Sequence, residues 1–233
     1  MVNYNESEII RPIFSNKSNI FSAGKECGFE KRELLTIKLN KKSNYADKNV
    51  VIIMMNPSKA DECTSDDTIN KVISFFANNN INVVNGKTIK SKNIKFLNIL
   101  NLFSIYNSNS ECLNGNFESL ESLLSENEFK EIFDENLTII KQNLEKADYI
   151  VLAWGMPKSF HLTIYFSMVN HILSCLFSLD KLVYVFQGTP YSTNKKSIHS
   201  KEFNPYHPIA VKLNALSQVR IEVGPVGSYK IVY

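Results

Sequence analysis

Val50-Val51-Ile52-Ile53-Met54-Met55, followed at once by Asn56-Pro57-Ser58, is the stretch that decides the fold of this chain. Six apolar residues without polar alternation predict a strand covered on both faces. Pro57 cannot donate to a ladder, so the strand must stop before it. Ser65-Asp66-Asp67 then precede Ile69, Val72, Ile73 and Phe76, which reads as a helix start with cap residues and acids at the positive end of the dipole. Upstream, residues 32–39 (RELLTIKL) read as a strand, with a polar turn over Lys41–Lys48. Downstream, the apolar run Ile94 to Leu102 is broken by Asn98 and Asn101. Phe129, Ile132, Phe133, Leu137, Ile140 and Leu144 form a stripe of period 3.6, which predicts a helix over 128–146. Tyr149 to Ala153 reads as a third buried strand ending at Trp154-Gly155. Residues 159–179 read as a helix, and Leu182 to Phe186 as a fourth strand ending at Gln187-Gly188. The alternation predicts an α/β fold: a three-layer α/β/α sandwich with a mostly parallel four-stranded central sheet, plus an N-terminal strand or hairpin. In such sheets ligands bind beyond the carboxyl ends of the strands.

The composition narrows the class. The chain has 233 residues, 44% hydrophobic and 21% charged, which fits one folded domain over residues 1–233 and excludes a disordered or fibrous chain. With 26 Lys and Arg against 23 Asp and Glu, the net charge of +3 does not by itself announce a nucleic-acid binder. There are 28 Asn, as codon bias in an AT-rich genome would produce, so any single Asn carries little weight. Cys27, Cys63, Cys112 and Cys175 are widely spaced and show no zinc-ligand pattern, so four reduced, mostly buried thiols and no metal are expected. The first residues, MVNYNESEII, lack the pattern of a signal peptide, and a cytoplasmic protein is expected. Phe160 to Leu179 is apolar but interrupted by His161, Asn170 and His171, which favours a buried helix over a membrane span.

Four segments stand at or near strand ends: MMNPSKAD at 54–61, NILNLFSI at 98–105, VLAWG at 151–155 and NPYHPIA at 204–210. Each is common alone, but their order resembles that of the uracil-DNA glycosylase superfamily. There an Asp/Asn-Pro loop comes first, a strand with Leu-Leu-Asn second, a strand ending in Trp-Gly third, and a His-Pro loop last. The Asn-Pro-Ser-x-Ala-Asp loop, the Asp-Asp-x-Thr turn, Asn-Leu-Phe, Ala-Trp-Gly and His-Pro are more closely similar to a bacterial branch of uncharacterised domains. The resemblance spans about residues 12–212.

The resemblance implies a uracil-DNA glycosylase-like fold and a monofunctional DNA glycosylase that needs no cofactor. Such an enzyme flips a pyrimidine nucleotide out of DNA, stabilises the departing base as an anion and supplies a water to the sugar. Asn56 would position that water, although an amide cannot take its proton; the alternative is an Asx-turn that ends the strand. One of the nearest acids, Asp61, Asp66 or Asp67, would supply the missing base, with Asp66 and Asp67 also readable as helix caps. Ser58 stands where the uracil-specific branch has a Tyr that closes the pocket around C5. It would therefore admit a C5-substituted cytosine, such as a hydroxymethylated or glucosylated one of phage DNA, or else cap the following turn. Asn101 would read the base edge, and a carboxamide rotated by 180° fits uracil or cytosine; Pro57 and Phe103 complete the base-binding set. Strand alternation puts Asn98 on the other side. His207 would donate to the base oxygen as it becomes anionic.

Residues 189–205 have no counterpart in the uracil branch. Lys195, Lys196 and Lys201 there, with Tyr206 and an apolar wedge at Ile209, would contact DNA. The expected partner is single- or double-stranded DNA bound by a monomer, and the expected role is antiphage defence. The alternatives are a uracil or mismatch glycosylase in base-excision repair, a non-catalytic binder of modified DNA, and an enzyme of another class acting on nucleosides.

Overall fold

The computed structural model describes residues 2–41, 45–77, 80–106, 113–157, 160–191, 195–200 and 203–233. Strand β5 (Lys48–Met54) lies at its centre, between β7 (Ile94–Asn101) and β8 (Tyr149–Leu152), parallel to both, and β9 (Val183–Pro190) continues parallel beyond β8. These are the four strands predicted from the sequence, in the order β7-β5-β8-β9. Val51, Ile53 and Met55 pack into one apolar cluster with residues of α3 (Glu126–Lys146) and α4 (Leu162–Leu179). Val50, Ile52 and Met54 pack into a second cluster with Ile69, Val72, Ile73 and Phe76 of α1 (Asp67–Ala77). Both faces of β5 are therefore dry, which explains the missing polar alternation.

The fold is mixed α/β with four α-helices among the described residues, and its sheet is larger and less parallel than predicted. β4 (Leu34–Leu39) runs antiparallel to β7, and β1 (Ile9–Ser15) antiparallel to β4. On the other side β10 (Val211–Val223) runs antiparallel to β9, and β11 (Tyr229–Val232) antiparallel to β10. The short β6 (Val83–Val84) also pairs with β10, giving nine strands in this sheet among the described residues. A separate hairpin joins β2 (Ser18–Ser22) and β3 (Lys25–Lys31), and α2 (Leu113–Leu123) precedes α3. β4 is the strand read over residues 32–39 and belongs to the expected N-terminal addition, whereas β10 and β11 go beyond the prediction, because strands that mix buried and exposed residues lack the dense apolar signature of β5.

Two helix starts are fixed locally. Asp66 caps α1 by accepting the Ile69 N–H at 2.8 Å. Ser125 and Glu128 form a capping box on α3, and Glu128 also accepts the Ala23 N–H at 3.1 Å, tying the β2–β3 turn to this helix. The Ser125 backbone N–H and hydroxyl, with that of Ala23, hold the Glu128 carboxyl down at about 2. Helix α4 is long and apolar enough to cross a membrane by length and composition. Six of its residues, Tyr165, Met168, Val169, Ile172, Leu173 and Leu176, are buried in the protein core. Cys63 is exposed while Cys27 and Cys175 are half-buried, so none of the three described thiols is fully buried, against expectation; all three are free. Cys112 lies outside the described residues.

Candidate functional site

Backbone hydrogen bonds gather the four motif segments at the carboxyl ends of β5, β7 and β8. Leu102 N donates to Met54 O at 2.8 Å and Phe103 N to Met55 O at 3.0 Å, locking the turn after β7 to the end of β5. Beyond β8, Gly155 N donates to Pro205 O at 3.0 Å. The Tyr165 hydroxyl of α4 bonds Gly155 O at 2.7 Å and Asn204 Oδ1 at 2.9 Å. Gly155 has φ +72°, and a Cβ there would come within 3.0 Å of His207 Cβ, so only glycine lets the last loop come this close.

His207 opens the turn Pro208–Ala210, and its Nδ1 accepts the Ile209 N–H at 3.4 Å. That bond assigns the proton of the neutral ring to Nε2. Burial pushes the imidazole down to about 4; nearby Asp66 opposes the shift and Lys71 adds to it. The ring is thus a neutral donor at pH 7. Lys71, on α1, donates to Val211 O and to the Tyr191 hydroxyl (2.8 Å), which fastens α1 to the same loop.

Asn101 is the last residue of β7, pairs with Met54 and is 1% exposed. Its carbonyl accepts Asn136 Nδ2 of α3 at 3.1 Å, and the same amide holds Leu102 O at 3.0 Å. The Asn101 side-chain Nδ2 has no hydrogen-bond partner among the described residues. Asn98 instead accepts the Thr36 hydroxyl at 2.8 Å, a cross-strand pair remote from the strand end. Of the two asparagines, Asn101 is the one at the strand end.

The loop after β5 is more self-contained than the sequence implies. Half-buried Asn56 donates from Nδ2 to Pro57 O at 3.2 Å, and Pro57 is buried. The Ser58 hydroxyl donates to Asp66 Oδ2, so the Ser58 side chain buttresses the cap of α1. Asp61 Oδ1 accepts the N–H groups of Thr64 (2.8 Å) and Cys63 (2.9 Å). Burial would raise the Asp61 carboxyl, but these hydrogen bonds outweigh it and hold it below its usual range. Asp67 is exposed in the first turn of α1. Of the three aspartates in this segment, Asp66 is the one whose charge acts on His207.

The remaining predicted residues scatter. Phe103 is 1% exposed, its ring 4.8 Å from that of Phe160 and 5.3 Å from that of Phe117, inside the core. Tyr206 is half-buried, and Ile209, Lys195 and Lys196 are exposed; Lys201 lies outside the described residues. The insertion is pinned at its base by paired bonds between Gly188 and Ser197, 2.9 and 2.8 Å. Phe203, an aromatic of this segment, stacks on His199 at 4.8 Å, and its carbonyl accepts the Tyr233 hydroxyl at 2.9 Å.

Sequence reading missed Arg32. It precedes β4, its N–H donates to Ser104 O at 2.8 Å, and its guanidinium reaches under the 56–61 loop to donate to Ala60 O. Burial pulls the guanidinium below its usual range, while Tyr4 and Asp66 oppose the shift. A signal was present: the chain has only three arginines, Arg11, Arg32 and Arg220, where the bias that multiplies Asn also favours Lys. A groove of about 880 Å³ lies between the β2–β3 hairpin and α3, lined by Asn16, Lys31, Glu33, Glu131 and Glu135 among others. Its central cation is already matched, Lys31 bonding Glu135 and lying 3.1 Å from Glu33, so the strand ends carry the better claim to chemistry.

The molecule is thus a mixed α/β protein with a polar site at the carboxyl ends of its central parallel strands. The family model described as "Protein of unknown function (DUF1643)" matches residues 32–209, and the chain belongs to that family. The matched span begins at Arg32 and ends at Ile209, enclosing the site. Comparison with curated proteins and with solved structures gave no match.

Proposed function

We propose that this protein is a monofunctional DNA glycosylase that hydrolyses the N-glycosidic bond of a flipped pyrimidine, with a C5-modified cytosine as preferred base. The reading rests on the motif order that resembles the uracil-DNA glycosylase superfamily. It implies the three-layer α/β/α form of that fold, which the parallel order β7-β5-β8-β9 and the two apolar clusters support. The observation that carries it is the Asn101 side chain, buried at the end of β7 with its amide nitrogen unpaired. A buried donor left unmatched costs ~1–3 kcal/mol, and a base edge presenting a carbonyl oxygen or ring nitrogen would satisfy it.

In turnover the C1′–N1 bond breaks and its electron pair leaves with the base. Neutral His207 donates from Nε2 to the base oxygen that gains charge, and its low proton affinity keeps it a donor without a competing positive form. Asn56 orients the water that adds to C1′. Antiphage defence follows if glucosylated hydroxymethylcytosine is the base released.

The test is incubation with duplexes carrying uracil, a thymine mismatch, hydroxymethylcytosine or glucosylated hydroxymethylcytosine, followed by alkali. Strand breaks at the modified cytosine are expected, lost in Asn56→Ala and His207→Ala with DNA binding retained. Folded wild-type protein that breaks none of them would refute the reading. A second reading, a binder of modified DNA that never excises, is favoured by one observation: Asp61 and Asp66 both have their carboxylates engaged in hydrogen bonds of their own. Binding without strand breaks on all four duplexes selects it.

A further inference from the structure

Arg32 is second only to Trp154 in size among the fully buried side chains, and it is 1% exposed. Its Nη1 donates to Ala60 O, its Nε has no hydrogen-bond partner, and no carboxylate among the described residues lies within ion-pair distance. Removing a guanidinium from water without a carboxylate is strongly unfavourable, so a fold that keeps one needs a reason. Other buried groups at the same end of the sheet are also unmatched, among them the acceptor Asn136 Oδ1; two of them, Asn101 Nδ2 and Ser104 Oγ, lie on segments next to Arg32. β4 and β7 deliver all three together: Arg32 N is bonded to Ser104 O, and Leu34 pairs with Leu100, the neighbour of Asn101. A guanidinium N–H, an amide NH2 and a hydroxyl form a donor-rich, positively charged set, whose complement is an oxygen carrying negative charge. Depth identifies the source of that oxygen. The phosphates of a duplex stay at the protein surface, whereas an extruded base enters the interior.

We propose that Arg32 binds the negative charge of a pyrimidine anion at the strand ends, and that in turnover this anion is the departing base. The inference rests on the glycosylase reading and deepens it. As the C1′–N1 bond breaks, the electron pair passes to the base as an N1/O2 anion facing Arg32. Water adds to C1′ and loses its proton to solvent, and solvent protonates the base on release. Asn56 cannot accept a proton, so this chain lowers its barrier at the leaving group instead of at the water.

Single-turnover excision would be compared for wild type, Arg32→Lys and Arg32→Met on uracil against 5-fluorouracil, and on cytosine against 5-fluorocytosine. The fluorinated bases are the better leaving groups. Arg32→Met is expected to slow the parent bases by about 10²–10³-fold and the fluorinated ones distinctly less, because a stable anion needs less help. Equal slowing of parent and fluorinated bases is what a purely structural role predicts, and it overturns the proposal. If Arg32→Met does not fold, Arg32→Lys carries the same comparison. Barbiturate, a pyrimidine ring anionic at neutral pH, gives a readout without turnover, followed by the fluorescence of Trp154, the only tryptophan. Wild type is expected to bind barbiturate more tightly than uracil, and the Arg32 variants to lose that preference by about tenfold. No preference in wild type sinks the proposal whether or not excision occurs. Arg32-dependent barbiturate binding in a protein that excises nothing would retire the glycosylase reading and leave the anion site standing.

Discussion

The two ends of the central strands are built on opposite principles. At the amino ends polar groups are matched: Lys48 Nζ lies 3.1 Å from Asp148 Oδ1, and Asp148 Oδ2 accepts the Asn49 N–H at 2.8 Å. There too Lys181 Nζ donates to Glu145 O at 2.8 Å and Ala147 O at 2.9 Å. At the carboxyl ends Arg32 Nε, Asn101 Nδ2, Ser104 Oγ and Asn136 Oδ1 are buried without hydrogen-bond partners. Each such group costs ~1–3 kcal/mol, out of a typical net stability of about 5–15 kcal/mol. One end of the sheet is satisfied within the fold, while the other withholds hydrogen bonds that a ligand can make.

The sharpest way to break this contrast is to exchange function for stability at the carboxyl ends. Asn101→Leu should cut excision by about 10²–10³-fold. Its Tm should hold or rise in a calorimetric scan, because an apolar group of similar size needs no partner. A clear fall in Tm would mean that the amide is matched after all. His207→Ala should cost excision on the same scale, ~10²–10³-fold in single-turnover assays.

His207 also predicts an acid-sensitive stability. Its imidazole stands at about 4 in the fold against about 6.5 for an ordinary histidine. Between those values the unfolded chain binds a proton that the folded chain lacks. The stability is therefore complete above pH 6.5 and is lost as pH falls toward about 4, by up to ~3 kcal/mol. Urea unfolding of wild type and His207→Gln across that window should show the variant losing less stability on acidification; parallel curves would refute the assignment.

The amino ends should behave in reverse. Asp148→Ala removes an acceptor from the Asn49 N–H, should cost about 1 kcal/mol and lower Tm by about 2–4 °C, and should leave excision unchanged. The smallest effect belongs to the insertion. Lys195→Ala with Lys196→Ala should reduce the slope of log K against log salt for duplex binding by up to about 2, with excision at saturating enzyme unaltered. An unchanged slope removes these lysines from the DNA interface.

Much of this site is legible from periodicity. VVIIMM announces a strand with two dry faces, and the punctuation after each run locates the strand ends. The three-residue separation of Asn98 and Asn101 places them on opposite sides, in keeping with Leu100 and Ile99 packing into opposite apolar clusters. Asp66 was the hard case. Sequence offered three aspartates within seven residues, and only the fold turns Asp66 toward Ser58 and His207 while Asp61 spends its carboxylate on its own turn. β10 was overlooked although Val-Lys-Leu-Asn-Ala-Leu-Ser-Gln-Val-Arg-Ile-Glu-Val partly alternates, because an edge-side strand mixes buried and exposed residues and imitates a loop.

The sequence by itself determined the four parallel strands, helices α1, α3 and α4, and the strand-end position of Asn56 and Asn101, because these follow from local hydrophobic period and chain-breaking residues. Tertiary structure alone decided that Arg32 bonds a loop 28 residues away and that Lys71 fastens a strand 140 residues on. It also decided that Gly155 admits His207. Those facts depend on which surfaces meet when the sheet closes, and no local pattern encodes a meeting between distant segments.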